Sequence, residues 1–362
     1  MKLLTETLNR IEPADAAVRE AAHRHIDRLT MPRRALGRLL DLAEDLAAMT
    51  RDPKFHTDRK EVVLMAGDHG IVAQGVCPQP SSVTTQMVRC FTQGGAGINV
   101  LAGVARARVS VVDLGVASDL SDLVASGAVR DCKIAPGTAD FSVGPAMSRE
   151  QAVAALEAGI RVAEALAPNT DVFATGEMGI GNTSPSSAIV TVLSGSTDPA
   201  PFVGRGAGLD PEKLAHKAAV IRRGIELNHP DPADGVDLLA KVGGFEIGGI
   251  AGLVLGCAKL RKPVVIDGFI SSAGALVAAV LSPASRDYMI LGHGSAEPGH
   301  VAMAKLLGKR PLLDLEMRLG EGTGAVLAFQ LLDAASAIMA MIPVATLRTN
   351  SMSWLTTQTV PG

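Results

Sequence analysis

Aromatic side chains are scarce in this chain: 362 residues include one tryptophan, Trp354, one tyrosine, Tyr288, and 8 phenylalanines. A platform on which exposed bases stack has little to be built from. Charge does not offer a substitute, because 34 basic residues face 37 acidic ones, the net charge is −3, and no basic run occurs. Both absences argue against a nucleic-acid partner. Cysteine is sparse as well: Cys77, Cys90, Cys132 and Cys257 are scattered without CxxC spacing. Neither a zinc knuckle nor a disulfide framework is indicated, and reduced thiols in a cytoplasmic protein are expected. The N-terminal run meets charged residues too early for a secretion signal. The longest apolar stretch, from Ile247 to Leu260, is broken by Gly248, Gly249, Gly252 and Gly256. It is shorter than the roughly 20 residues that cross a bilayer, so a buried helix is expected and no membrane association.

Familiar motifs are missing too. There is no GxxxxGK[ST] phosphate loop, no GxGxxG after the first strand-like run, and no GxSxG nucleophile elbow. Kinase, dinucleotide and serine-hydrolase readings lose support. The apolar run ending in paired acids that marks users of phosphoribosyl pyrophosphate with magnesium is also absent, which favours a metal-free donor.

What is present is 47% hydrophobic residues and 38 glycines, enough for a large core with many tight backbone turns. Short β-branched runs at 61–66, 108–114, 171–174, 263–267 and 287–291 are mostly separated by helix-length stretches, the pattern of parallel βαβ units. Ser148 with Gln151 reads as a capping box, and Asp210-Pro211 and Ser184-Pro185 read as an N-cap followed by an N1 proline. Beyond Leu291 the chain reads as helix and loop, including a helix over 324–342. The fold expected is a three-layer α/β/α domain with a mainly parallel, Rossmann-like sheet over 60–300. A smaller, mainly helical domain is expected from both termini, 1–59 and 301–362.

The strand-like runs end in glycine and polar residues, and in open α/β sheets ligands bind where such loops gather. Gly204-Arg205-Gly206 precedes a helix, so its amides with Arg205 or Lys217 suit a phosphate, while a plain turn with a solvated arginine remains open. Glu177 and Glu321 each sit among glycines in an otherwise apolar loop, where poor solvation raises a carboxyl pKa and suits a general base. A helix-start or surface role is open for each. Ser81 and Ser82 begin a helix carrying Gln86 and Met87. Asp68, His69, Asp267 and His293 fall near strand ends and support a competing reading, a metal-dependent phosphohydrolase, although HxxxH and HExxH spacings are absent. A non-catalytic nucleotide sensor is the third reading.

Taken in order, these segments resemble the nicotinate-nucleotide:dimethylbenzimidazole phosphoribosyltransferase family of cobalamin nucleotide-loop assembly. The likeness is carried over most of the chain by Gly67-Asp68-His69-Gly70, Val83-Thr84-Thr85-Gln86-Met87-Val88, Gly94-Gly95-Ala96-Gly97-Ile98-Asn99, Thr175-Gly176-Glu177-Met178-Gly179-Ile180-Gly181-Asn182-Thr183, Gly204-Arg205-Gly206, Gly243-Gly244-Phe245-Glu246-Ile247, Ser295-Ala296-Glu297-Pro298-Gly299-His300 and Gly320-Glu321-Gly322. The resemblance implies that Glu321 is the base near the benzimidazole and that Glu177 assists it. It implies that Gly176, Asn182, Gly204, Arg205, Gly206, Lys217 and Ser295 hold the ribose phosphate, and that Ser81, Ser82, Gln86, Met87 and Leu319 border the azole. It implies a homodimer with no metal and no cofactor, acting on nicotinate mononucleotide and a benzimidazole. Two stretches depart from the family: Met31-Pro32-Arg33-Arg34-Ala35-Leu36-Gly37, and Val76-Cys77-Pro78-Gln79-Pro80, which lacks the usual tyrosine. Both bear on the choice of base rather than on the reaction.

Overall fold

The computed structural model describes residues 2–341. Helices α1 (Lys2–Leu8), α2 (Ala16–Ile26) and α3 (Arg38–Thr50) precede the first strand, β1 (Lys60–Gly67). Then come α4 (Ser82–Thr92), α5 (Gly97–Ala105), β2 (Ala107–Gly115), α6 (Ser121–Ala125) and β3 (Val129–Asp131). The chain continues through α7 (Arg149–Leu166), β4 (Val172–Met178), α8 (Thr183–Leu193), α9 (Leu214–Asn228), α10 (Gly235–Val242) and α11 (Phe245–Lys259). The described residues end with β5 (Val264–Ile266), α12 (Phe269–Leu281), β6 (Met289–Leu291), β7 (His293–Gly294), α13 (His300–Leu307), β8 (Leu313–Asp314) and α14 (Thr323–Met339).

Six strands form one parallel sheet in the order β3-β2-β1-β4-β5-β6. β1 is buried along its whole length, as a central strand covered by helices on both faces must be. Its side chains alternate: Val63 and Met65 join the core with α7 to α12, whereas Val62, Leu64 and Ala66 join the core with α3, α5 and α14. The strand order reverses between β1 and β4, which opens a crevice at their carboxyl ends. The β1–β2 register slips after Ala66, so that Gly67 pairs with Gly115 at the mouth of that crevice. Helices α2, α3 and α14 pack on one another, while α1 lies on the other face against α7 and α11.

The three-layer parallel α/β expectation matches the chain, and the Ser148–Gln151 capping box forms as read. Several details differ. Ser184 lies inside α8, whose N-cap is Asn182. The last strand of the sheet begins at Met289, because Asp287 belongs to a 3₁₀ turn from Pro283 to Tyr288. β4 runs on to Met178, carrying Glu177 within the strand rather than in a loop. The short β3, β7 and β8 have too few residues to show a period of two. The expected helix over 324–342 is Thr323–Met339, and Ile342 lies outside the described residues. No helix among the described residues is long and apolar enough to cross a membrane.

Candidate active site

A cavity of about 680 Å³ lies at the carboxyl ends of β4 and β5, on the crevice side of the sheet. Glu177, at the end of β4, and Glu321, in the turn before α14, both border it. That turn is unusual, because Gly320, Glu321 and Gly322 have φ of 84°, 63° and 97°. The left-handed region costs a non-glycine residue on the order of 1 kcal/mol, so the surroundings must hold Glu321 there. One hold is the Ile98 amide, which donates to the Glu321 carboxylate at 3.0 Å from the first turn of α5, a position where helix N–H groups lack partners. Burial, with the nearby Asp267 carboxylate, pushes the Glu321 pKa up, and the Ile98 hydrogen bond opposes it.

Glycines make these approaches possible. A Cβ on Gly176 would lie 2.5 Å from the Glu321 carbonyl oxygen, and one on Gly97 would lie 2.9 Å from Leu319. Gly176 thus supports the Glu321 turn from below rather than lining the cavity. Glu177 accepts a hydrogen bond from Asn182 Nδ2 at 2.5 Å and another from the Glu321 backbone N–H. Its pKa is nevertheless raised to about 8, first by burial and then by the Asp267 and Glu246 carboxylates.

At the other end the cavity is bordered by Gly206, Ala207, Gly208 and Ser295. Gly204 and Lys217 do not line the cavity: Lys217 is buried behind Thr183, donating to its hydroxyl at 2.7 Å and to the Gly204 carbonyl at 3.2 Å. Burial lowers its pKa to about 8, with Glu297 acting in the opposite sense. Arg205 is exposed and turns back to donate to the Leu209 carbonyl, so it does not line the cavity. Arg318, which sequence reasoning missed, does line it. So does Glu297, whose Oε2 is buried without a hydrogen-bond partner and would lie 1.8 Å from a Cβ on Gly204.

Met87 and Leu319 border the apolar part of the cavity with Met178 and Ile180, whereas Ser81, Ser82 and Gln86 do not reach it. The serine and threonine run has a supporting task instead: the Thr84 hydroxyl accepts from the Ile180 amide at 3.1 Å, tying α4 to the Glu177 segment. The four residues of the phosphohydrolase reading do not gather at one point. His69 meets Glu246 at 2.7 Å, and Asp68 accepts from the Ala117 amide. His293 stacks on His300 with ring centroids 6.2 Å apart and brings its Nε2 to 3.7 Å from Asp267, whose carboxylate is otherwise engaged by backbone amides. Among the described residues, no three His, Cys, Asp or Glu are placed to share a metal ion.

Comparison with known proteins places the chain in a family. Residues 11–346 match the DBI_PRT phosphoribosyltransferase family model. The chain is 57% identical to the nicotinate-nucleotide–dimethylbenzimidazole phosphoribosyltransferase of Syntrophotalea carbinolica, over 94% of this chain and 96% of that protein. It is 53% identical to the protein of the same name from Desulfotalea psychrophila, with the same coverage. The crystal structure of the enzyme so named from Thermus thermophilus superimposes with a TM-score of 0.85 at 42% identity, covering 91% of this chain and 97% of that one.

Proposed function

The chain belongs to the nicotinate-nucleotide–dimethylbenzimidazole phosphoribosyltransferase family, and from that premise we propose that it moves the 5-phosphoribosyl group of nicotinate mononucleotide to 5,6-dimethylbenzimidazole or a related base. The products are α-ribazole 5′-phosphate and nicotinate. The reaction is a pentosyl transfer with inversion at the anomeric carbon. In the donor the nicotinate ring nitrogen is cationic, so departure neutralises it and no metal-bound pyrophosphate is needed. Positive charge grows on the sugar as that bond lengthens, while an azole nitrogen attacks the opposite face.

The observation that carries this reading is the meeting of two carboxyls, both made weaker acids by burial, in one cavity. Glu177, with its pKa at about 8, is protonated at neutral pH and takes no proton itself. Glu321 is left as the acceptor of the azole N–H proton. The Gly206 and Ala207 amides and Ser295 suit the ribose phosphate, with the Lys217 charge behind Thr183 and with Asn182 orienting Glu177. Arg205 contributes by shaping its loop, and Met87 and Leu319 face the azole. We also read 60–300 as the catalytic α/β body and 1–59 with 301–362 as a smaller unit; the mutual packing of α2, α3 and α14 favours this division, whereas α1 packs on α7 and α11, and residues 342–362 lie outside the described residues. A cytoplasmic homodimer completes the reading.

The test is a chromatographic assay of purified protein with nicotinate mononucleotide and dimethylbenzimidazole, with and without chelator. Coupled appearance of free nicotinate and the new nucleoside phosphate, unaffected by chelator, is expected. Failure with this base and with other azoles would overturn the assignment.

A further inference from the structure

We infer that Asp267 is a positioning residue for the transfer: its carboxylate clamps the turn that carries Glu321 and fixes where the Glu321 carboxylate meets the substrate. The inference rests on Glu321 being the base. Asp267 follows β5 and is buried, and although it borders the cavity, both of its oxygens are engaged by the main chain. Oδ1 accepts from the Gly324 amide at 2.8 Å and from the Ala325 amide at 2.9 Å, and Oδ2 from the Gly322 amide at 3.3 Å. These groups begin α14, whose own N-cap, Gly322, has no side chain to offer them. A carboxylate from a distant strand therefore does the capping.

The turn needs this outside hold. Three successive residues in the left-handed region include one that is not glycine, and although Thr323 closes the turn locally by donating its amide and hydroxyl to the Gly320 carbonyl, that closure sits on the helix start that Asp267 caps. Asp267 is itself fixed, because its amide donates to the Thr175 hydroxyl at 3.0 Å on β4, two residues before Glu177. One carboxylate thus links β5, α14 and the strand that bears the second acid. Its charge also acts on both acids, and burial keeps its own pKa raised while the amides and His293 oppose that. The groups that bear on Glu321 are the Ile98 amide from α5, Glu177 from β4 and Asp267 from β5, with Glu246 and His293 behind them.

Asp267→Asn keeps the shape and one acceptor but removes the charge and the hold on Gly322. Turnover should fall on the order of 10²-fold with little change in the KM for nicotinate mononucleotide, as for a misplaced reacting group. The acid limb of the kcat profile should move to lower pH, because a negative charge has left the neighbourhood of Glu321. Added to Glu321→Gln, the same change should cost almost nothing more, because both act through one carboxylate. Unchanged turnover with an unmoved acid limb, or a full additional loss in the Glu321→Gln background, would overturn the inference. If Asp267→Asn does not yield folded protein, Gly322→Ala serves instead. Its Cβ would press within 3.0 Å of the Thr175 carbonyl, shifting the turn while the charge stays. A loss of turnover that is non-additive with Glu321→Gln is then expected, and additivity sinks the idea. A Glu321→Gln enzyme as active as the unaltered protein would instead remove the base reading itself.

Discussion

At the scale of single residues, the site is governed by where charge is allowed. Glu321→Gln preserves the shape of the side chain and the Ile98 contact through its carbonyl, but it cannot take a proton. Turnover should fall by about 10² to 10⁴, and single-turnover kinetics with dimethylbenzimidazole would measure it. Glu177 and Lys217 both ionise near pH 8, yet they are separable. A bound phosphate raises the Lys217 pKa out of range, so the limb due to the lysine appears in kcat/KM. A limb in kcat near pH 8 belongs to Glu177, whose ionisation above that pH adds a second negative charge beside Glu321. Glu177→Gln should abolish the kcat limb, and its persistence in that variant would show that the carboxyl is not the group titrating. The rise from burial was foreseeable, but the further push on the Glu177 pKa from Asp267 and Glu246 could not be read from the sequence, because both are distant along the chain. That both glutamates sit in poorly solvated glycine-rich surroundings was legible. Arg205 was misplaced for a related reason: a charged residue between glycines signals a phosphate loop, but only the fold shows its guanidinium folded back onto Leu209.

At the scale of elements, the glycines matter most where two helices touch. α7 and α11 approach so closely that a Cβ on Gly159 would lie 1.9 Å from the Gly249 carbonyl oxygen, and one on Gly252 would lie 2.0 Å from that of Leu156. Backbone on both sides leaves nothing flexible to give way. Gly252→Ala should therefore destabilise the protein by about 3 kcal/mol, the upper part of the usual range for overpacking, seen as a lower thermal midpoint. Activity per folded molecule at low temperature should stay near normal. A midpoint within experimental error of the unaltered protein would mean that the helices separate freely. The interrupted run from Ile247 to Leu260 announced a buried helix, and the longer strands announced a parallel sheet. The helix pair that those glycines serve was not visible, since a close approach involves a partner far away in the chain. The two-residue strands β7 and β8 were beyond any pattern as well.

At the scale of the whole molecule, the strand order reverses between β1 and β4, and the cavity draws on segments near residues 87, 177, 206, 267, 295 and 321. The order of strands could not be deduced from runs of β-branched residues, since several arrangements satisfy the same alternation of strand and helix. Its consequence concerns cooperativity. These segments are far apart in the chain and meet only at the cavity, so no fragment and no half-formed sheet holds a working set of side chains. Activity is then a gauge of complete folding: in a denaturant titration, loss of transfer should coincide with or precede loss of helical signal. Transfer that survives after the helical signal has collapsed would be incompatible with this assembly. A newly made chain therefore becomes an enzyme only when α14, which follows Glu321, has docked.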